Sequence, residues 1–376
     1  MSETQKLKQV AAVFFKLGLL AFGGPAAHIA MMEQEVVTKK KWMTREHYLD
    51  LIGATNLIPG PNSTEMTMHC GYQRAGKKGL FIAGISFIFP AVFITAILGY
   101  VYVRYGALPQ VQPFIKGLQP AVMAIIASAV IKLGKKAVKN WELAMLGALF
   151  LAASVLGLNQ ILVMLVGGVL GMCYFFIRSK TWQKTHTIAP LFMVFMFSEI
   201  GSKLSALGIF LKFLKVGSIL YGSGYVLFAY LDTELVSTAL LSQKQLIEAI
   251  GIGQFTPGPV LSTATFIGYQ LGGFWGALGA TAGIFLPSFL FVWLLNPLIP
   301  KMRKSKVLGY FLDSVNVAAV AIMFAVLITM SQQTLVDWQA AFIALVSVVL
   351  VFKFKKVSVM WVLIIGALLG YVLAFI

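Results

Sequence analysis

The stretch Asn56-Leu57-Ile58-Pro59-Gly60-Pro61-Asn62-Ser63-Thr64-Glu65 interrupts an apolar chain, and it returns as Gln254-Phe255-Thr256-Pro257-Gly258-Pro259-Val260-Leu261-Ser262-Thr263. A Pro-Gly-Pro core cannot continue a helix. Each proline lacks a backbone donor, Pro61 steers Gly60 away from the α region, and glycine accepts whatever dihedral the corner needs. In the first copy polar residues follow at once, so a new helix is expected to begin with the exposed N–H groups of Asn62, Ser63 and Thr64. One such break reads most simply as a packing kink. Two, at matching places in two halves and with polar flanks, point to the binding site of a membrane carrier.

Composition fixes the solvent around this stretch. Hydrophobic residues make up 59% of the 376 and charged residues only 11%, and the mean hydropathy is +0.86. A soluble domain carries roughly 25% charge, so this chain is built for lipid. Runs long enough to span a bilayer recur, at 80–103 and 307–330 among others. The apolar run at the N-terminus is interrupted by Lys16 and lacks a small-residue cleavage site. It reads as a first membrane helix, not as a signal peptide. Two cysteines, Cys70 and Cys173, make neither a disulfide framework nor a metal site. The net charge of +17 comes from short basic clusters between apolar runs. That is the pattern of cytoplasmic loops and not of a nucleic-acid surface.

Outward from the first corner, an apolar segment at 6–22 ends at Gly23-Gly24-Pro25. A more polar helix then leads to Lys39-Lys40-Lys41, and Thr44 is the expected N-cap of the helix that runs into the corner. The helix after the corner meets a second basic cluster, Arg74, Lys77 and Lys78. Basic residues on both sides suggest a re-entrant hairpin, tolerated at membrane depth only where protein or a wet cavity satisfies its backbone. Full spans are expected at 79–103, 119–139, 141–158 and 160–177, with a linking span at 188–202.

The pattern then restarts. Phe22-Gly23-Gly24 matches Tyr221-Gly222-Ser223, and Thr44 matches Ser242, which forms a capping box with Gln245. Asp50 matches Glu248, Asn56 matches Gln254, and Gly71-Tyr72-Gln73 with Gly76 and Gly79 matches Gly268-Tyr269-Gln270 with Gly273 and Gly276. Phe89-Pro90 matches Leu286-Pro287. This is an internal duplication, with a first repeat at 1–187 and a second at 203–376. Charge makes the second copy upside down. Where the first has Lys39-Lys40-Lys41 the second has Asp232 and Glu234, and where the first has Arg74, Lys77 and Lys78 the second has Leu271, Phe274 and Trp275. The fold class is therefore an all-α polytopic membrane protein of two inverted-topology repeats with re-entrant, broken helices.

A helix N-terminus in hydrocarbon concentrates partial positive charge and unpaired donors, and anions bind there. The candidate substrate-binding set is Gly23, Gly24, Asn56, Pro59, Gly60, Pro61, Asn62, Ser63 and Thr64 in one half. In the other it is Gly222, Ser223, Gly224, Gln254, Pro257, Gly258, Pro259, Ser262 and Thr263. Lys16 and Lys215 each precede a Gly-rich corner by six or seven residues, and are either functional symmetry mates or lysines that reach the interface. Glu65 is the one carboxylate close to a corner. It is either a proton-coupling group or an acid favoured by the helix dipole. His28 and His69 read as packing histidines. No nucleotide loop, nucleophile elbow or metal cluster appears, so no enzyme activity, cofactor or metal is expected.

At Phe22-Gly23-Gly24-Pro25, Pro59-Gly60-Pro61 and Gly71-Tyr72-Gln73-x-x-Gly the chain resembles the chromate ion transporter family, the CHR superfamily, in its two-domain form. In the second half Gly222-Ser223-Gly224 stands in place of Gly-Gly-Pro. The resemblance implies chromate efflux across the bacterial cytoplasmic membrane, driven by the potential or the proton gradient and conferring chromate resistance, with sulfate as a structural analogue. A carrier for sulfate or another anion and an anion channel are the competing readings. Expected partners are chromate or a similar oxyanion and membrane lipid, with a homodimer left open.

Overall fold

The computed structural model describes residues 1–22, 24–178, 205–221, 224–295, 305–354 and 357–375. It is helical throughout these residues. The first repeat runs α1 (Glu3–Leu20), α2 (Pro25–Glu33), α3 (Arg45–Thr55), α4 (Asn62–Tyr105), α5 (Gln112–Ala137), α6 (Trp141–Val155) and α7 (Gln160–Arg178). The second repeats that order as α8 (Ala206–Ile219), α9 (Leu227–Leu231), α10 (Gln243–Phe255), α11 (Thr263–Leu295), α12 (Lys306–Thr334), α13 (Trp338–Lys353) and α14 (Val359–Leu373). Among the described residues five helical segments are long and apolar enough to cross a membrane, namely α4, α5, α7, α11 with its preceding turn, and α12. The expected linking span at 188–202 lies outside the described residues.

Local chemistry sets the boundaries. Thr44 Oγ1 accepts from His47 N–H and starts α3. Ser242 and Gln245 close the capping box that starts α10. α2 and α9 each run on into a π-helical turn, Gln34–Lys39 and Asp232–Val236. Shortly after each of those turns comes a non-glycine residue with positive φ, Lys41 at 52° and Ala239 at 55°.

The expected span at 79–103 follows a sharp elbow in α4. It is the outgoing arm of α4, whose incoming arm begins at the Pro-Gly-Pro corner. The two arms meet at an elbow where Ala75 (φ −146°, ψ 27°) and Gly76 (φ 61°, ψ −152°) leave the helical region. α11 breaks identically at Gly272 (φ −151°, ψ 25°) and Gly273 (φ 59°, ψ −146°). Only glycine adopts this left-handed conformation without strain. The arms then press together through glycine. A methyl group at Gly71 would strike the carbonyl of Gly79, and one at Gly268 that of Gly276.

The repeats are intertwined rather than set side by side. α5 packs on α13 and α14 of the second repeat, and α12 packs on α6 and α7 of the first. α4 lies against α11, and α5 against α12, across the centre. Close approach again rests on small residues, Gly117 of α5 against Gly366 and Gly370 of α14, and Gly171 of α7 against Ser314 of α12. The principal helix packings come in such pairs, so a pseudo-two-fold axis relates the halves. The charge asymmetry of the loops puts that axis in the membrane plane. Large apolar side chains such as Phe89, Phe93, Ile97, Trp275 and Leu278 stay exposed on the outer surface, as a lipid-facing wall requires.

Candidate functional site

Each Pro-Gly-Pro corner is seated in the opposite repeat. The N–H of Gly60 donates to the carbonyl of Leu220, just past the end of α8, at 2.6 Å. The N–H of Gly258 donates to the carbonyl of Ala21, just past the end of α1, at 2.9 Å. Ala21 and Leu220 are equivalent positions, so this is one contact made twice. Gly60 has φ 144° and Gly258 φ 87°, and neither has room for a side chain. A methyl on Gly60 would collide with the Glu65 carboxyl group and stand 2.6 Å from Ser288 Oγ, whereas one on Gly258 would stand 2.8 Å from Ala91 Cβ and 3.2 Å from the Gly18 carbonyl. Each corner therefore fits between the first helix and the long broken helix of the other half. Buried backbone at a bend must be satisfied, and here the partner repeat satisfies it.

The first corner opens onto the N-terminus of α4. Thr64 and Glu65 N–H groups both turn back to the Pro61 carbonyl, at 2.8 and 3.1 Å, while those of Asn62 and Ser63 have no partner among the described residues. Ser63, Thr64 and Glu65 are all buried. Thr64 Oγ1, both carboxyl oxygens of Glu65 and Ser288 Oγ have no hydrogen-bond partner among the described residues. Such atoms are rare in a packed interior. Asn62 and Asn56 sit on the open side of the corner, joined by a bond from Asn62 Nδ2 to Asn56 Oδ1 of 2.7 Å.

The second corner is chemically quieter. Thr263 Oγ1 donates to the Val260 carbonyl at 2.8 Å, and Thr256 Oγ1 donates to the Gly253 carbonyl while lying 3.4 Å from Ser262 Oγ. A short 3₁₀ turn, Val260–Ser262, takes the place of the clean α start found at Asn62. Gln254 is buried with its Nε2 unpartnered among the described residues. The two corners thus differ in their hydroxyls and in the turn that follows them, although each makes the same hydrogen bond to the other repeat.

Of the Gly-rich corners, Gly24 caps α2 with φ 81° and lies against Tyr225, and Gly224 packs on Val260 and Leu261. Gly23, Gly222 and Ser223 lie outside the described residues. His28 holds the first of these corners by its ring, with Nε2 3.0 Å from the Ala21 carbonyl and its face edge-on to Phe87.

Lys16 and Lys215 are symmetry mates in their contacts. Lys16 Nζ lies 3.3 Å from Glu35 Oε1, which also takes Lys39 at 2.8 Å. Lys215 Nζ lies 2.6 Å from Glu234 Oε1. Glu234 therefore corresponds to Glu35, and the basic loop at Lys39–Lys41 corresponds to 237–239, which is uncharged. The sequence comparison had set Asp232 and Glu234 against the lysines, although the offset that pairs Lys16 with Lys215 also pairs Glu35 with Glu234. Sequence reasoning also missed Ser288, Tyr221 and Glu35; the only signal for Ser288 was its place next to the repeated Pro287. Among the described residues no group of three or more His, Cys, Asp or Glu is placed to hold a metal ion.

The family model for chromate transporters matches residues 8–172 and again 207–371, and so covers both repeats. The chain belongs to the chromate transporter family. Relatives within this family include a chromate transport protein of Cupriavidus metallidurans, 33% identical over 98% of this chain and 94% of its own length. A probable chromate transport protein of Synechococcus elongatus is 28% identical over 97% of this chain and 95% of its own length. A chromate transport protein of Pseudomonas aeruginosa is 28% identical over 87% of this chain and 81% of its own. No solved structure matches the chain. This chromate transporter family member is a multi-pass membrane protein, with its corners at the seam between the repeats.

Proposed function

We propose that the chain is a secondary carrier exporting chromate, or a tetrahedral oxyanion of equal charge, across the bacterial cytoplasmic membrane, and that this export confers chromate resistance. The observation that carries the reading is the reciprocal seating of the two Pro-Gly-Pro corners. It ties each helix break to the opposite half, so relative movement of the halves must move the corners. The names of the relatives support chromate as the anion.

In this reading the N–H groups of Asn62 and Ser63, with the hydroxyls of Ser63 and Thr64, replace the hydration shell of the anion. The α4 terminus offsets part of its charge. Ser262, Thr263, Gln254 and the backbone of Gly24, Gly224 and Gly258 complete the enclosure from the other half. Rocking of one repeat against the other alternates access to the two faces. The anion is moved and not chemically changed.

Chromate flux in proteoliposomes under imposed pH gradients and potentials tests this. Saturable flux, accelerated by chromate on the far side and abolished in Asn62→Leu and Ser63→Leu proteins that still insert and remain monodisperse, is the expected result. Wild-type flux in both variants removes the corner from the site. Unitary currents make the protein a channel, and stronger competition by sulfate than by chromate reassigns the substrate.

A further inference from the structure

The buried, unpartnered groups at the first corner are of a particular kind. Thr64 Oγ1 and Ser288 Oγ are hydroxyls, which donate to an anion. Glu65 is a carboxyl group on the same turn of α4 as Thr64, fully buried and directed at Gly60, where the Ser288 hydroxyl also arrives from α11. No lysine, arginine or donor side chain among the described residues neutralises it. Two titratable groups lie near it among the described residues. The Tyr221 ring stands beyond the end of α8 and interacts with Glu65 across the seam, and His69 lies one turn further along α4. Ser288 of α11 arrives beside it at Gly60, and His28 of α2 is committed to the Ala21 carbonyl.

A carboxylate ion and a doubly negative guest cannot share such a corner, because like charges in a dry site repel strongly. A carboxylic acid can, because its O–H donates. We propose that the oxyanion binds together with one proton carried on Glu65, and that Ser288 of the opposite repeat is a further ligand, donating to the same anion. The inference rests on the corner being the binding site. The proton is taken from water on the side where the anion enters, and is released with the anion on the other side as Glu65 ionises. The loaded carrier then moves one net negative charge instead of two. The membrane potential still drives export, while the pH gradient opposes it.

The test is equilibrium binding of chromate to the purified full-length protein between pH 5.5 and pH 8.5, wild type beside Glu65→Gln. The anion's own protonation is common to both proteins, so the ratio of their affinities isolates Glu65. That ratio should fall by up to about tenfold per pH unit on the alkaline side, as linkage to a single proton requires. On that alkaline side, in weak buffer, the wild type should take up about one more proton per anion than Glu65→Gln does. Glu65→Asp keeps a titrating group and should retain the slope with weaker binding. Ser288→Ala should weaken binding by about tenfold without changing the slope. A ratio flat across the range, with equal proton uptake, overturns the inference while the corner stands. Undiminished binding in Asn62→Leu and Ser63→Leu removes the corner itself.

Discussion

Lys215 Nζ stands 2.6 Å from Glu234 Oε1, and the equivalent atoms of Lys16 and Glu35 stand 3.3 Å apart in the other repeat. Each pair joins the first helix of a repeat to the π-helical turn that follows the second. The two are unequal in setting, since the Lys215 side chain is 24% exposed and that of Lys16 is 57% exposed.

Neutralising the drier pair should therefore matter more. Glu234→Gln is expected to cost about 1.5–3 kcal/mol of stability, as for a charged hydrogen bond losing its partner. Glu35→Gln should cost under about 1 kcal/mol, because its lysines remain solvated. Thermal unfolding of the purified variants checks the order. The exchange Lys215→Glu with Glu234→Lys should recover much of the loss if the pair itself matters. Equal costs in the two repeats would refute the distinction.

Glycine at the corner and glycine at the elbow should behave differently. Gly76 has open space around it, so Gly76→Ala meets only the backbone cost of a conformation that side chains avoid, about 1–3 kcal/mol. Gly60→Ala adds a collision with Glu65 and Ser288 to its own backbone cost, a further ~1–3 kcal/mol. Chromate flux should survive in the first variant and fall below detection in the second, measured at matched protein in the liposomes.

The crossing of the hairpin arms gives a third expectation. Gly71→Ala and Gly268→Ala each drive a methyl group into a backbone carbonyl that cannot move aside. Both should lose monodispersity in size-exclusion chromatography, to similar extents in the two repeats. Normal behaviour of either would mean that the arms separate more readily than their packing indicates.

Orientation can be read directly. With Cys173 replaced, single cysteines at Lys40 and Ser237, both exposed, should react with a membrane-impermeant maleimide from opposite faces. Labelling from one face would place the two-fold axis along the membrane normal.

Helix starts, corners, elbows and the duplication were legible in the sequence because each is written in short-range chemistry. Pro59, Gly60, Pro61, Thr44 and the Gly71–Gly79 spacing act on backbone a few residues away. The inversion was legible through the loss of lysines between the repeats. What could not be read was contact across the seam. Ser288 reaches Gly60, and Leu220 receives its N–H, only because α8 and α11 of one half enclose the corner of the other. The registry of Glu35 with Glu234 lies at the same offset as that of Lys16 with Lys215, but the ion pairs that give it meaning form only in the fold. The difference between the corners lies in whether Thr64, Ser262 and Thr263 find local acceptors, and that depends on one turn of 3₁₀ geometry.

Because Gly60 and Gly258 each draw their acceptor from the other half, neither half can complete its own fold. A chain severed between them would yield two fragments that are mutual chaperones, each insoluble until it meets its complement. The ancestor of the duplication would have been bound by the same rule. It would have needed a second copy of itself, inserted the other way up, to supply those acceptors.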